Sequence, residues 1–186
     1  MNANKKLWIM VLTAIIIVSC TCSLPSFGID LPQSERVGSY ITVNYPEEWY
    51  GTTQYDIGIF SPDYVDLEGD DEDMDQAFMI VFPLEEYIGP DWFSEIDEPG
   101  DLLDDLADEF DTSLRSITTV EAGDVRWTRG TFSGSFSDFL GTWEGWMAIE
   151  LLPRGGAIII ATAPSSDWDD VESIFDAIMK GIDFAD

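Results

Sequence analysis

The 186-residue chain carries 37 acids against eight lysines and arginines and has no histidine, a formal charge of −29. That balance excludes a nucleic-acid partner, because neutralising phosphates needs a cationic footprint. The missing histidine removes the Ser-His-Asp triad, the usual general base and the commonest metal ligand.

At the start of the chain, Lys5-Lys6 precede an apolar run from Leu7 to Val18 broken only by Thr13. A run of about a dozen residues suits a signal-peptide core, whereas a membrane span needs about 20. Ile17-Val18-Ser19-Cys20 then match a bacterial lipobox, small or aliphatic residues ahead of a thiol. Cys20 is the candidate lipidation site. Cys22 fits less well, because Thr21 would precede it and Ser19 would occupy the aliphatic position. These are the two cysteines of the chain, so acylation of Cys20 leaves no intramolecular disulfide. The expected organisation is a signal peptide over residues 1–19, a lipidated tether over 20–36 and one folded domain over 37–186. The expected address is the extracytoplasmic face of a cell membrane, reached through acyl chains on Cys20. Two of the eight basic residues lie in the leader and no acid does, so the mature chain carries −31. An anionic bilayer surface repels such a domain, which makes the lipid its means of attachment.

Three strands come first: Tyr40 to Tyr45, Tyr55 to Ser61 and Ala77 to Phe82, closed by Pro46, Pro62 and Pro83. Between the second and third, Asp63 to Gln76 is acidic enough to read as a solvated loop. Within it, Asp71, Asp73 and Asp75 match the first three ligand positions of an EF-hand, but Gln76 stands at the glycine position and Phe82 at the bidentate acid. That excludes an EF-hand and leaves a looser calcium site as the alternative to a solvated loop. Trp92-Phe93, between Pro90 and Pro99, is a candidate contact patch.

From Asp101 to Leu114 the period changes, with Leu102, Leu103, Leu106, Phe110 and Leu114 on one helical face and Asp101 as its cap. Four strands follow, Thr118–Ala122, Val125–Phe132, Thr142–Leu152 and Ala157–Ala163, turned by Gly123-Asp124 and Arg154-Gly155-Gly156 into an antiparallel meander. The unalternating run Ala157 to Ala161 predicts a strand covered on both faces. A last helix from Asp167 to Lys180 places Trp168, Val171, Ile174, Phe175, Ile178 and Met179 on one face and stops at Gly181. The expectation is an α+β fold in which a mainly antiparallel sheet is covered by helices on both faces, an α/β/α sandwich.

Arg126, Trp127 and Arg129, with Trp143 and Trp146 on the next strand, form the basic and aromatic concentration of the chain. As structure, the tryptophans fill the core and the arginines pair with nearby acids, Glu144 foremost. As function, Arg126 and Arg129 line a groove for an anionic or sugar ligand. Glu144 and Glu150 share a strand face, yet six residues along a strand is about 20 Å, too far for a glycoside-cleaving carboxylate pair.

Tyr45-Pro46-Glu47-Glu48-Trp49, the middle helix, the Val120-Glu121-Ala122-Gly123 turn, and Phe175, Ile178, Met179 and Ile182 at the end together resemble the PsbP-like α/β/α sandwich family, bacterial lipoprotein members included. The resemblance spans residues 37 to 184. It implies that fold, an extracytoplasmic setting and an accessory or binding role with an extracytoplasmic protein partner. It transfers no catalytic residue and no cofactor. The chain is therefore expected not to be an enzyme; the alternatives are a cell-surface hydrolase using carboxylates and a calcium-binding module.

Overall fold

The computed structural model describes residues 28–65, 76–84, 98–135, 141–152 and 155–185. In chain order the elements are β1 (Gln33–Val37), β2 (Ile41–Tyr45), β3 (Tyr50–Gln54), β4 (Ile57–Ser61), β5 (Phe78–Pro83), α1 (Pro99–Glu109), β6 (Ser116–Ala122), β7 (Val125–Gly134), β8 (Trp143–Leu152), β9 (Gly155–Pro164), α2 (Trp168–Lys180) and β10 (Ile182–Phe184). They build a seven-stranded sheet in the order β3-β4-β5-β9-β8-β7-β6 and a three-stranded sheet in the order β1-β2-β10. Every pairing among the described strands is antiparallel.

The central strand β9 explains why its sequence does not alternate, because alternate residues enter two separate cores. Ile158 and Ile160 pack with Phe78, Met147, Ile149, and Leu103 and Ala107 of α1. Ala157, Ile159 and Ala161 pack with Met79, Val81, Trp127, Trp146, and Phe175 and Ile178 of α2. The second core also takes Val37, Ile41, Val43 and Ile182 from the small sheet. A second sheet therefore shares this core with α2, where the sequence pattern predicted helices as the only cover.

The small sheet packs closely enough to dictate glycine beneath it. A Cβ at Gly58 would overlap the Val37 side chain, and one at Gly51 would lie 2.7 Å from the Tyr45 ring. Gly181 ends α2 for the same kind of reason: its φ of −88° is open to any residue, but a Cβ there would stand 2.8 Å from Leu31 Cδ1. Asn44 ties the junction down, its side-chain amide donating to the Gly181 carbonyl at 2.7 Å.

Several boundaries differ from the sequence pattern. Strand β1 begins at Gln33, inside the stretch whose composition suggests a tether, and pairs with β2 from Gln33↔Tyr45 to Val37↔Ile41. Tyr55, expected in a strand, forms with Asp56 the two-residue turn of a hairpin, with φ of 51° and 64°. Helix α1 stops at Glu109, short of Leu114, and begins with Pro99 after an N-cap at Glu98, so Asp101 is a first-turn acid and not the cap. The chain reverses there because Asp111 turns to φ 50° while the Thr112 amide donates to the Ala107 carbonyl at 3.0 Å. Leu114 reaches the α1 core all the same, from the loop, seated against Gly130.

Candidate functional site

The strand register divides the basic and aromatic concentration between two environments. Trp127, Trp143 and Trp146 are all buried, at most 1% exposed. Trp127 and Trp146 belong to the α2 core and Trp143 to the α1 core, where it lies 6.0 Å from the Phe78 ring. The tryptophans fill the interior, as the structural reading of the sequence expects.

Arg129 sits at the rim of the α2 core. Its Nη1 donates to Asp176 Oδ1 of α2 at 2.7 Å, and its guanidinium lies 5.4 Å above the Trp146 ring. An ion pair on one side and a ring face on the other clasp the helix to the sheet. Arg126 instead faces its direct cross-strand partner Glu121, in an exposed pair at 3.5 Å. Neither arginine is the companion of Glu144, which stands opposite Ser133 and Ala163 in the register. The expected Arg–Glu144 pairing is thus corrected: Arg129 is aligned with Ala148, and its acid comes from a helix 47 residues further along the chain.

Three buried nitrogens on this side of the sheet, Trp127 Nε1, Trp146 Nε1 and Arg129 Nε, have no hydrogen-bond partner among the described residues. Glu150 is the carboxylate perturbed here: burial pushes its pKa above the ordinary value, opposed by the charge of Arg126. Burial also raises the Tyr45 phenol, with Glu35 adding to the shift. Glu150 and Glu144, six residues apart on β8, stand about 20 Å apart, too far to act as a hydrolytic pair.

Cys20, Asp71, Asp73, Asp75, Trp92 and Phe93 lie outside the described residues. Among the described residues, no group of three or more acids or cysteines is placed to hold a metal ion. A polar cavity of about 280 Å³ lies between the loop after α1 and the end of β7, lined by Asp111, Thr112, Ser113, Arg115, Ser133 and Ser135 among others. Arg115 is anchored in its wall by donating to the Ser133 carbonyl at 3.0 Å.

The exposed aromatic surface that is described falls where the sequence pattern did not point. Tyr50 and Tyr64 are 53% and 59% exposed and meet edge to face at 6.5 Å. Tyr50 starts β3, an outer strand of the large sheet with no charged residue in Tyr50–Gln54. That uncharged stretch in so acidic a chain was the available signal.

No protein-family profile matches the sequence, and no curated protein matches it. Among solved structures the chain is similar to LpqN, described as involved in cell envelope biogenesis of Mycobacterium tuberculosis, at 10% identity and a TM-score of 0.53 over 83% of this chain and 90% of that one. It is also similar to cyanobacterial PsbP (CyanoP) from Synechocystis sp. PCC 6803, at 13% identity and a TM-score of 0.52 over 87% of this chain and 97% of that one. At such identities the likeness is one of fold, and the fold is PsbP-like.

Proposed function

We propose that the chain is an extracytoplasmic accessory or binding protein, held at a cell membrane by acyl chains on Cys20 and with no catalytic role of its own. The observation that carries this reading is Ile17-Val18-Ser19-Cys20 behind a basic and apolar leader, on a chain whose domain has a PsbP-like fold. The likeness to LpqN, a protein described as involved in cell envelope biogenesis, supports an envelope setting. The two cores on either side of β9, each receiving one helix, support reading the layers as an α/β/α sandwich whose second face is shared with the small sheet. A binding role is supported by the exposed aromatic surface at Tyr50 and Tyr64.

Expression of the full chain with radiolabelled palmitate tests the anchor. The parent should incorporate label and lose its leader, whereas Cys20→Ala should remain an unlabelled precursor of full length. Label persisting in Cys20→Ala, or disappearing in Cys22→Ala alone, would sink the assignment.

A further inference from the structure

Strand β6 forms one edge of the seven-stranded sheet, with β7 on one side and, among the described residues, no strand on the other. Natural sheets blunt such edges with lysine, proline, bulges or shortness. β6 has no lysine, proline or bulge and one charge, Glu121: it runs for seven residues, Ser-Ile-Thr-Thr-Val-Glu-Ala, in unbroken register with β7. Ser116 to Thr119 and Glu121 are exposed, and Ile117 is 41% exposed, a large apolar side chain that lies beside Gly100 at the start of α1.

We infer that this edge pairs antiparallel with β6 of a second copy of the chain, about a two-fold axis at Thr118. The register follows from charge. Between residues 115 and 121 the charged groups are Arg115 at one end and Glu121 at the other. An antiparallel pair centred on Thr118 sets Arg115 of each copy opposite Glu121 of the other, adding a partner across the edge to a Glu121 that faces Arg126 of its own chain and an Arg115 that donates to the Ser133 carbonyl. It also places Thr118 against Thr118, Ser116 against Val120 and Ile117 against Thr119, cross-strand neighbours of the kinds that stabilise sheets. Moving the centre to Thr119 would put Glu121 against Ile117 and leave Arg115 facing Gly123. Moving it to Glu121 would set the two glutamates against each other. The opposite edge, β3, has no charged residue and therefore selects no register.

Two copies bring two strongly negative domains together, yet at 0.15 M salt the screening length is about 8 Å, so most of that repulsion is damped while the edge charges touch. The pairing rests on the proposed anchor only for concentration, since confinement to one membrane raises the encounter frequency.

Cysteine cross-linking of the full chain in its own membrane tests the pairing. In a Cys22→Ser background, which should give no disulfide dimer itself, Thr118→Cys should form a dimer under mild oxidation, and Asp124→Cys, beyond the strand, should form far less. Arg115→Glu or Glu121→Arg, each added to Thr118→Cys, makes both edge pairs repulsive and should lower the yield severalfold. The combined Arg115→Glu/Glu121→Arg should restore it. Equal cross-linking at Thr118 and Asp124, failure of the combined swap to restore the yield, or a disulfide adduct with a different protein would overturn the inference. Palmitate labelling of the same samples separates it from the anchor. A labelled chain without dimer overturns the pairing alone, and an unlabelled chain with dimer overturns the anchor alone.

Discussion

Arg129 stands opposite Ala148 in the register of β7 and β8, and Glu150 lies two residues further along β8, yet the fold treats their charges differently. Arg129 gains Asp176 and the Trp146 face, and its charge is matched where it is buried. Burial outweighs the charge of Arg126 at Glu150 and leaves its carboxyl with a pKa raised above 4.5. A carboxyl that binds its proton more tightly in the folded chain than in the unfolded one destabilises the fold when ionised. That penalty is full above the raised pKa, shrinks as pH falls towards 4.5 and is absent below it. Glu150→Gln is therefore predicted to be more stable than the parent at pH 8, with the advantage gone by about pH 4. Urea midpoints across that range check it; an advantage independent of pH would mean that something other than ionisation is being relieved. The alternation of Trp127 and Arg129 already marks them in the sequence as neighbours on one strand face. The partner of Arg129 was not legible, because Asp176 reaches it only through the packing of α2.

The β3–β4 hairpin turns on two non-glycine residues with positive φ, Tyr55 and Asp56. Two-residue hairpins of this hand favour Asn-Gly or Asp-Gly, since a Cβ in the left-handed region costs about 1–2 kcal/mol for most residues and less for Asp. Asp56→Gly is predicted to stabilise the domain by about 0.5 kcal/mol at most after the added freedom of the unfolded chain is subtracted. A urea midpoint that stays the same or falls would show that the Asp56 side chain contributes more than its backbone costs. The same turn shows why part of the fold was hidden. An aromatic residue followed by Asp reads as the start of a strand, and only the register Gln54↔Ile57 makes it a corner. β1 and β3, Gln-Ser-Glu-Arg-Val and Tyr-Gly-Thr-Thr-Gln, carry almost no apolar alternation. They are specified by what they pair with and by the room that Gly51 and Gly58 leave beneath the small sheet. β7, β8 and the face of α2 were legible because each buries its own periodic apolar residues, and β9 because its unbroken apolar run serves two cores. Helix α1 was overextended because Leu114 keeps the helical spacing and reaches the same core after the helix has ended.

Across the whole molecule, charge acts over distances that no single contact spans. About thirty uncompensated negative charges repel more in the compact state than in the expanded one, so salt is predicted to raise the melting temperature. Monovalent salt should do this almost as well as calcium at matched ionic strength. A specific site at Asp71, Asp73 and Asp75 would instead stabilise by mass action at concentrations too low to screen. Melting in NaCl and in CaCl₂ separates the two. A large shift at micromolar calcium, lost when the three aspartates become asparagine, would replace screening by binding. The placement of β1 has a mechanical consequence too. Residues ahead of Gln33 lead from Leu31, which packs on the α2 core, into that strand, whose first pair is Gln33↔Tyr45 and whose last, beside the turn, is Val37↔Ile41. Tension arriving from that side peels β1 from β2 one pair at a time, as a zipper opens, and does not load all five pairs in shear. Were the chain held through Cys20, as proposed, load would reach this strand before it reached the seven-stranded sheet.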